Sequence, residues 1–266
     1  MKVAFVGGGV MGEVILSAVL DKGLASPQDV SVSDVSEARR HYLEQKYAVA
    51  ALGDNRQVVG RGDIVVMAIK PQNLVEVMAE LDGQIKSAQL VISIIAGARI
   101  ATLSNGLNHR RIVRVMPNTP ARIGEGMAVW TATDEVTEQQ RGQVGAILSA
   151  MGKELYVDDE KYIDMATAVS GSGPAYVFLF VEALVEAAES IGLPQDMARK
   201  LVLQTLIGSG HFLQKSDKQP SELRRMVTSP GGTTAEALAQ FEKGQFTELV
   251  KRAVEAAYKR ARELGS

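Results

Sequence analysis

Cysteine is absent from the 266 residues of this chain, which contains one tryptophan and three histidines. The absence of cysteine excludes disulfides, thiol nucleophiles and thiolate metal ligands. The histidines, His41, His109 and His211, lie too far apart for a metal-ligand spacing. No metal site is therefore expected, and each histidine is expected at the surface or as a helix cap. The formal net charge of −2 gives no reason to expect nucleic acid or a membrane surface as a partner.

Long apolar runs are scarce as well. No run approaches the roughly 20 residues of a membrane span, and glycine follows the opening M-K-V-A-F-V too soon for a signal peptide. We therefore expect a cytoplasmic protein. The 46% hydrophobic and 23% charged contents are typical of a globular chain, and the length allows one large domain or two ordinary ones.

Short β-branched runs alternate with helical stretches in the first half of the chain. Continuous apolar strands between helices are typical of a parallel sheet with helices on both faces. The predicted strands are Lys2–Val6, Val30–Asp34, Ile64–Ile69, Leu90–Ala96 and Arg111–Met116, with Gly126–Ala132 and Glu154–Val157 at the edge. The predicted helices are Met11–Lys22, Ser36–Lys46, Leu74–Leu81 and Glu138–Met151. Residues 1–158 are therefore expected to form an α/β domain with a doubly wound sheet.

The pattern changes after about Asp159, where strand signals almost disappear. Helical periodicity covers Val177–Ile191, Pro194–Leu213, Glu222–Val227, Thr234–Lys243 and Phe246–Leu264. We therefore expect a second, all-helical domain over residues 159–266. Val177–Ile191 is apolar on nearly every side, and such a helix has to be buried on every side. Partner subunits would help to bury it.

A glycine-rich motif, V-G-G-G-V-M-G, links the first predicted strand to the first predicted helix. Gly7, Gly9 and Gly12 give the spacing G-x-G-x-x-G, which in this context indicates a dinucleotide-binding loop of the Rossmann type. Gly7 allows the tight turn, and Gly12 allows close packing of helix and strand. Gly9 lets the backbone approach a pyrophosphate at the helix N-terminus.

The second predicted strand ends at Asp34, where an acidic residue would bind the ribose 2′-hydroxyl of NAD. Arg39 and Arg40 follow soon after, and an arginine there can receive the 2′-phosphate of NADP instead. A solvated helix face explains the two arginines equally well. Asp34 favours NADH, but the sequence leaves both NADH and NADPH open.

Three further turns follow predicted strands at the same end of the sheet. They are A-I-K-P-Q with Lys70 and Pro71, I-I-A-G at Ile94–Gly97, and M-P-N-T-P with Asn118 and Thr119. Ligands of open α/β sheets lie beyond the carboxyl ends of the strands, so a shared cofactor crevice is expected there. The small residues of Ile94–Gly97 would let a flat ring lie against the backbone.

In the helical half, V-T-S-P-G-G-T-T at Val227–Thr234 interrupts the helices. Thr233 or Thr234 is expected to cap the helix that follows. Exposed N–H groups in the first turn of that helix would form an anion site. A plain turn between two helices explains the same residues equally well.

Together these motifs resemble pyrroline-5-carboxylate reductase over the whole chain. The resemblance depends on the glycine loop, A-I-K-P-Q, R-V-M-P-N-T-P-A, S-G-S-G-P-A-Y, V-T-S-P-G-G-T-T with the E-A-L after it, and the closing A-V-E-A-A-Y-K-R-A-R-E-L-G. It implies a Rossmann domain followed by a helical domain that intertwines in a homodimer or a decamer of five dimers. It also implies reduction of 1-pyrroline-5-carboxylate to L-proline by NADPH or NADH.

The resemblance further implies roles for individual residues. Thr234 would be the catalytic residue at the ring nitrogen. The chain departs from other members at two positions: Asp34 stands where members have Ser or Asn, and Met226 stands where members have Asn. The implied substrate-binding residues are Val227, Thr228, Ser229, Gly231, Gly232, Thr233, Thr234 and Lys70. The implied cofactor-binding residues are Val6, Gly7, Gly8, Gly9, Val10, Met11, Ser33, Asp34, Asn55, Ala68, Ile69, Lys70, Pro71, Ala96, Gly97 and Asn118.

Two other functions remain open from the sequence. A β-hydroxyacid dehydrogenase would use a catalytic lysine early in the helical domain. Lys161 is the nearest candidate, but the glycine-rich residues expected before such a lysine are lacking. A protein that binds NAD(P)H without turnover would carry the same glycine loop.

Overall fold

The computed structural model describes residues 1–265, which form two compact units. The first unit contains Met1–Ser172 together with the chain from Ala257 onward, and the second contains Gly173–Ala256. The chain therefore leaves the first unit and returns to it near its end. The predicted division into domains at residues 1–158 and 159–266 stays a prediction.

One eight-stranded sheet forms the centre of the first unit, in the order β3-β2-β1-β4-β5-β6-β7-β8. Neighbouring strands are parallel except β6 and β7, which are antiparallel. The order reverses at β1, so the carboxyl ends of β1, β2 and β4 border the crevice in which such sheets bind ligands. The strands are β1 Val3–Val6, β2 Val30–Ser33, β3 Ala50–Leu52, β4 Ile64–Met67, β5 Leu90–Ser93, β6 Ile112–Met116, β7 Gly126–Ala132 and β8 Gly152–Tyr156.

Helices cover both faces of this sheet. Val3 and Phe5 of β1 belong to one buried core, and Ala4 and Val6 belong to the other. The helices of the first unit are α1 Val10–Asp21, α2 Glu37–Tyr47, α3 Asn55–Val59, α4 Leu74–Leu81, α5 Ile100–Leu107, α6 Glu138–Ser149 and α7 Lys161–Ala166. A π-turn, Thr167–Gly171, follows α7. The predicted α/β class with a doubly wound sheet is confirmed.

The sequence pattern misses four short elements, β3, α3, α5 and α7. β3 has three residues, two of them alanine, and so carries almost no strand signal. α5 contains Gly106, which disfavours a helix when taken alone. A Cβ at Gly106 would collide with Met78 of α4, so this glycine allows close packing of the two helices, which local propensity does not report.

His109 is buried, which corrects the expectation that every histidine lies at the surface or caps a helix. Its side chain is 4% exposed, and its Nε2 lies 2.9 Å from the Gln89 carbonyl oxygen. Burial lowers the pKa of His109 and favours the neutral ring. His109 precedes β6, at the end of the sheet opposite the crevice, so its role is structural.

The second unit consists of helices, and their apolar surface is exposed in the single chain. They are α8 Gly173–Ser190, α9 Gln195–Lys215, α10 Pro220–Met226, α11 Thr233–Lys243 and α12 Phe246–Glu263, the last turns of which belong to the first unit. Within the single chain α8 buries none of its residues, and Phe178 and Leu179 are 59% and 66% exposed, so the burial predicted for this helix is not supplied by its own chain.

The helical stretch that contains α8 is also longer than expected, since no apolar run was expected to approach the length of a membrane span. Within residues 1–265, Lys161–Ser190 is the one helical stretch that is long and apolar enough to cross a membrane by length and composition. Only 6% of its most apolar window is buried. An apolar helix exposed to this extent marks a surface that binds something outside the single chain.

Candidate functional site

The glycine loop between β1 and α1 has the geometry that dinucleotide binding requires. Gly7 has a φ of 100°, and a Cβ added there would lie 2.6 Å from the Ala68 carbonyl oxygen, so only glycine fits this turn. A Cβ at Gly9 would meet nothing within 4 Å. Gly9 is the N-cap of α1, and no side chain accepts the first-turn N–H groups. These N–H groups and the open space beside them suit a pyrophosphate.

Asp34 follows β2 and holds the glycine loop in place. Its Oδ2 accepts the Gly8 N–H at 3.0 Å, and its Oδ1 accepts the Ser36 N–H at 2.9 Å. Each oxygen keeps a lone pair that can accept a further hydrogen bond, such as one from a ribose hydroxyl. The contact between Asp34 and a ribose stays a prediction.

A cluster of charged and phenolic side chains joins α1 to α2. The Glu13 carboxylate accepts hydrogen bonds from Arg39, from Tyr42 at 3.0 Å, from Lys46 at 2.9 Å and from Tyr47 at 2.8 Å. Burial raises the pKa of Glu13, but the bonds from Lys46, Arg39 and the two tyrosines outweigh it and lower the pKa to about 2. The Tyr42 hydroxyl and the Glu13 carboxylate raise the pKa of Lys46.

The two arginines of α2 have different surroundings. Arg39 donates through Nε to the Gly8 carbonyl and through Nη2 to Glu13, so its charge is paired within the protein. Arg40 donates through one nitrogen to the Asp34 carbonyl at 2.8 Å and to the Val35 carbonyl. No carboxylate among residues 1–265 pairs with Arg40. Of the two, Arg40 is the arginine whose charge is not paired with a carboxylate, so it is the better suited to receive a 2′-phosphate.

The turns that the sequence predicts at strand ends meet at one edge of the sheet. Val6 is in register with Met67, and Met67 with Ser93. The Ile94 N–H donates to the Met67 carbonyl at 3.1 Å, so the residues that follow β1, β4 and β5 are neighbours. Of the residues predicted at this edge, the structure leaves Ala68, Ile69 and Ala96 half-buried, and Lys70 and Pro71 exposed.

Gly97, predicted at the same edge, is buried by the end of the chain. It has a φ of 79°, and a Cβ added there would lie 2.6 Å from the Cβ and the carbonyl oxygen of Leu264. A Cβ at Gly265 would lie 2.8 Å from the Gly97 carbonyl oxygen. The residues that follow α12 thus pack against the turn after β5, a contact that no local pattern in the sequence indicates.

Two predicted cofactor-binding side chains are engaged within the protein. The Ser33 hydroxyl is fully buried and donates to the Phe5 carbonyl at 3.3 Å. The Asn55 amide donates to Glu80 at 2.7 Å. Ser33 therefore has no side-chain surface for a ligand, whereas half-buried Asn55 can still accept through its carbonyl oxygen.

Asn118 ties the turn after β6 to the π-turn. Its side-chain Oδ1 accepts the Met127 N–H at 2.8 Å, and its side-chain Nδ2 donates to the Ser170 carbonyl at 3.1 Å. Gly171 lies against Met116, where a Cβ would come within 2.6 Å of the methyl carbon. The side chain of Asn118 thus joins two of the predicted motifs, and its contact with a cofactor stays a prediction.

A buried ion cluster that the sequence prediction misses lies beside this edge. Arg114 of β6 is 2% exposed and donates to Glu160 at 2.8 Å and to Asp164 at 2.6 Å. Glu160 also accepts the Ile100 N–H at the start of α5, at 2.8 Å. The sequence contains a signal for this cluster, because Glu160 and Asp164 are four residues apart and carboxylates at that spacing share one helix face. The adjoining cleft of about 480 Å³ is lined by Arg99, Arg114, Asp159, Glu160, Lys161, Asp164, Tyr258 and Arg262.

Lys161, the candidate lysine of the dehydrogenase alternative, is exposed and pairs with Asp159 at 2.7 Å. The hydrogen bond to Asp159 raises the pKa of Lys161. A lysine held protonated in this way is poorly suited to act as a general base.

The loop Val227–Thr234 lies in the second unit and precedes α11. Gly232 is the N-cap, and no side chain bonds the first-turn N–H groups. The prediction that Thr233 or Thr234 caps α11 is therefore wrong. The first turn of this helix presents N–H groups without a side-chain cap, as an anion site requires.

Two glycines and two hydroxyls shape this loop. Gly231 has a φ of 67°, in the left-handed region that favours glycine. A Cβ at Gly232 would lie 2.6 Å from the Ser229 hydroxyl oxygen. The Thr228 hydroxyl donates to the Arg224 carbonyl at 2.6 Å and closes the end of α10. Glycine at both positions lets the backbone turn tightly towards α11.

Comparison with known proteins gives matches over the whole chain. A family model described as pyrroline-5-carboxylate reductase dimerisation matches residues 160–264, and one described as NADP oxidoreductase, coenzyme F420-dependent, matches residues 2–97. A pyrroline-5-carboxylate reductase of Synechocystis sp. is 39% identical over 265 residues, covering 100% of this chain and 98% of the relative. A crystal structure of Plasmodium falciparum pyrroline carboxylate reductase with NADP bound has a TM-score of 0.92 and 32% identity, covering 100% of this chain and 98% of that one.

Proposed function

Because this chain belongs to the pyrroline-5-carboxylate reductase family, we propose that it reduces 1-pyrroline-5-carboxylate to L-proline, the last step of proline biosynthesis, with NADPH or NADH. The observation that carries the proposal is the 39% identity to a reductase of that name over 265 residues. A match of this length includes the glycine loop, the strand-end turns and the Val227–Thr234 loop, so it does not depend on a shared nucleotide-binding unit alone.

The first unit would hold the cofactor at the crevice beside β1. The uncapped N–H groups of α1 would bind the pyrophosphate, for which Gly9 leaves open space. The half-buried residues Ala68, Ile69 and Ala96 would line the nicotinamide. When bound, the dihydronicotinamide supplies the hydride for the C=N carbon.

The Val227–Thr234 loop would hold the substrate. The N–H groups of Gly231 and Thr233 would bind its carboxylate without an arginine. The Gly232 N–H, which donates to the Ser229 carbonyl at 3.1 Å, would join them by turning from that carbonyl to the substrate. The Thr234 hydroxyl would bond the ring nitrogen, which keeps its proton and becomes the amine of proline. A protonated imine is already electrophilic, so the task of these residues is to orient it rather than to transfer protons.

The choice between NADH and NADPH would depend on the loop after β2. The Asp34 carboxylate favours a ribose hydroxyl and repels a 2′-phosphate, whereas Arg40 attracts the phosphate. In Asp34→Ser the ratio of kcat/KM for NADPH to that for NADH is expected to rise, because the repelling charge is removed. An unchanged ratio would contradict a position of Asp34 at the ribose.

The second unit would complete its core against another copy of this chain. The family model that matches residues 160–264 is described as a dimerisation domain, and the exposed apolar side chains of α8 lie in that range. We expect a homodimer, or a decamer of five dimers, in the cytoplasm. The absence of cysteine agrees with this compartment but does not require it.

The decisive experiment measures oxidation of NADH and of NADPH, by the absorbance of the dihydronicotinamide, with and without 1-pyrroline-5-carboxylate. Imine-dependent oxidation with formation of L-proline is expected. Reduction of NAD(P)⁺ by a hydroxy acid, without activity on the imine, would favour the dehydrogenase. Binding of NAD(P)H without turnover of either substrate would favour the binding protein.

A further inference from the structure

The chain end makes a close contact at the edge of the sheet where the proposed function places the nicotinamide. Leu264 and Gly265 lie against Gly97, four residues beyond the end of β5. All three residues belong to the first unit, since the chain from Ala257 onward returns to it. The proposed function does not explain why the end of a dimerisation helix should lie there.

The contact is made by backbone atoms. A Cβ at Gly97 would lie 2.6 to 2.7 Å from the Cβ, carbonyl carbon and carbonyl oxygen of Leu264. A Cβ at Gly265 would lie 2.8 Å from the Gly97 carbonyl oxygen and 3.0 Å from Arg99 Nε. With glycine on both sides, the two backbones approach until neither can move without displacing the other.

The contact contributes little to burial of the Leu264 side chain, which remains 43% exposed. The support for the chain end lies further back, where Ala261 is 5% exposed in the first unit. Leu264 and Gly265 therefore extend from an anchored helix end and fix the position of the Gly97 backbone, while adding few apolar contacts to the core.

The two ends of the same turn are fixed by other groups. The Ile94 N–H bonds the Met67 carbonyl of β4, and the Ile100 N–H bonds Glu160, which pairs with buried Arg114. The middle of the turn has a left-handed residue, Gly97, and the chain end is what covers it. Without the chain end, the Gly97 backbone is uncovered and is held by one hydrogen bond within the turn, from the Ala98 N–H to the Ile95 carbonyl at 3.2 Å.

We propose that Leu264 and Gly265 are positioning residues for the reaction. They set the backbone of the turn between β5 and α5 against which the nicotinamide lies, and this proposal rests on the proposed function. The dihydronicotinamide has to sit within near-attack distance of the imine, and a misplacement of about 1 Å can lower the rate roughly a hundredfold.

The test compares a chain that ends at Glu263, which keeps α12 but lacks the contact, with Gly97→Ala, in which the added methyl group displaces the chain end. Both are expected to weaken NAD(P)H binding and to lower kcat by about tenfold or more. The truncated chain is expected to keep a nearly unchanged melting temperature, whereas Gly97→Ala also carries the cost of a left-handed φ. Lys259→Ala, an exposed change on α12, is the control and is expected to behave as the wild type. Binding is measured by the fluorescence of NAD(P)H, and kcat by imine-dependent oxidation.

The double variant separates positioning from other effects. Because the truncated chain has no Leu264 to collide with, Gly97→Ala in that background is expected to keep only the cost of the left-handed φ of 79° and to cause a smaller loss than in the full chain. Full addition of the two losses, unchanged cofactor binding in the truncated chain, or a melting temperature of the truncated chain that falls together with binding would overturn the proposal. If the wild type does not reduce the imine and the variants still bind NAD(P)H more weakly, the proposed function is overturned and the role of the chain end stands.

Discussion

The hydroxyl of Thr234 forms no side-chain cap for α11, and within residues 1–265 it has no hydrogen-bond partner. It stands beside the uncapped N–H groups that are proposed to bind the substrate carboxylate. Replacing Thr234 by valine keeps the shape and removes the hydroxyl. Loss of a hydrogen bond to a charged nitrogen costs about 1.5–3 kcal/mol, so kcat/KM for 1-pyrroline-5-carboxylate is expected to fall roughly tenfold to a hundredfold.

The matched control for Thr234→Val is Thr102→Val on α5, where the threonine is exposed. Both substitutions carry the same helix propensity cost. The KM for NAD(P)H is expected to stay at the wild-type value in both variants. Full kcat/KM for the imine in Thr234→Val would show that the hydroxyl does not bond the reacting nitrogen.

At the scale of elements, the Glu13 cluster joins α1 to α2 and so fixes the helix that is proposed to bind the pyrophosphate. The pKa of Glu13 is lowered from 4.5 to about 2. Stability from a lowered carboxyl pKa is fully present above 4.5 and is lost as the pH falls towards 2. Glu13→Gln is expected to be less stable than the wild type at pH 7, with a difference that shrinks through this pH window.

Denaturant unfolding between pH 7 and pH 2 measures this difference. Glu138→Gln is the control, because the Glu138 side chain is 96% exposed and lies 3.8 Å from Arg141. It is expected to unfold as the wild type does throughout the range. A Glu13→Gln deficit that is independent of pH would mean that Glu13 acts through packing rather than through its charge.

Elements that carry their own start signals follow the sequence prediction closely. Ser36 caps α2 by accepting the Arg39 N–H, and Thr137 forms a capping box at the start of α6. α2 and α6 begin within one residue of their predicted starts. β3 was missed because its three residues owe their strand conformation to pairing with β2, a contact outside the segment itself.

At the scale of the whole molecule, the exposed apolar face of α8 requires a partner, and a second copy of the chain is the partner we propose. Sedimentation is expected to give a dimer or a larger multiple of the chain. Leu179→Glu is expected to shift it towards the monomer, because a charge would be buried in an apolar interface. Val75→Glu, a change at another exposed valine, is the control. A monomeric wild type would contradict the proposed dimer.

The sequence predicts only those parts of the site that are formed by local motifs. It predicts the glycine loop and the edge at which the strand-end turns meet, because parallel strands place their carboxyl ends together. It also predicts that the small residues of Ile94–Gly97 allow close approach to the backbone. It does not predict that Leu264 is what Gly97 contacts, or that Ser33 is buried, because both depend on packing between residues distant in the chain.

The return of α12 to the first unit has a consequence for biosynthesis. The ribosome releases Met1–Ser172 long before the residues from Ala257 onward, so the nucleotide-binding unit is incomplete while the helical unit is being made. The turn at Gly97 stays uncovered until residues 264 and 265 have been made. A chain terminated before these residues lacks the contact that covers the Gly97 backbone.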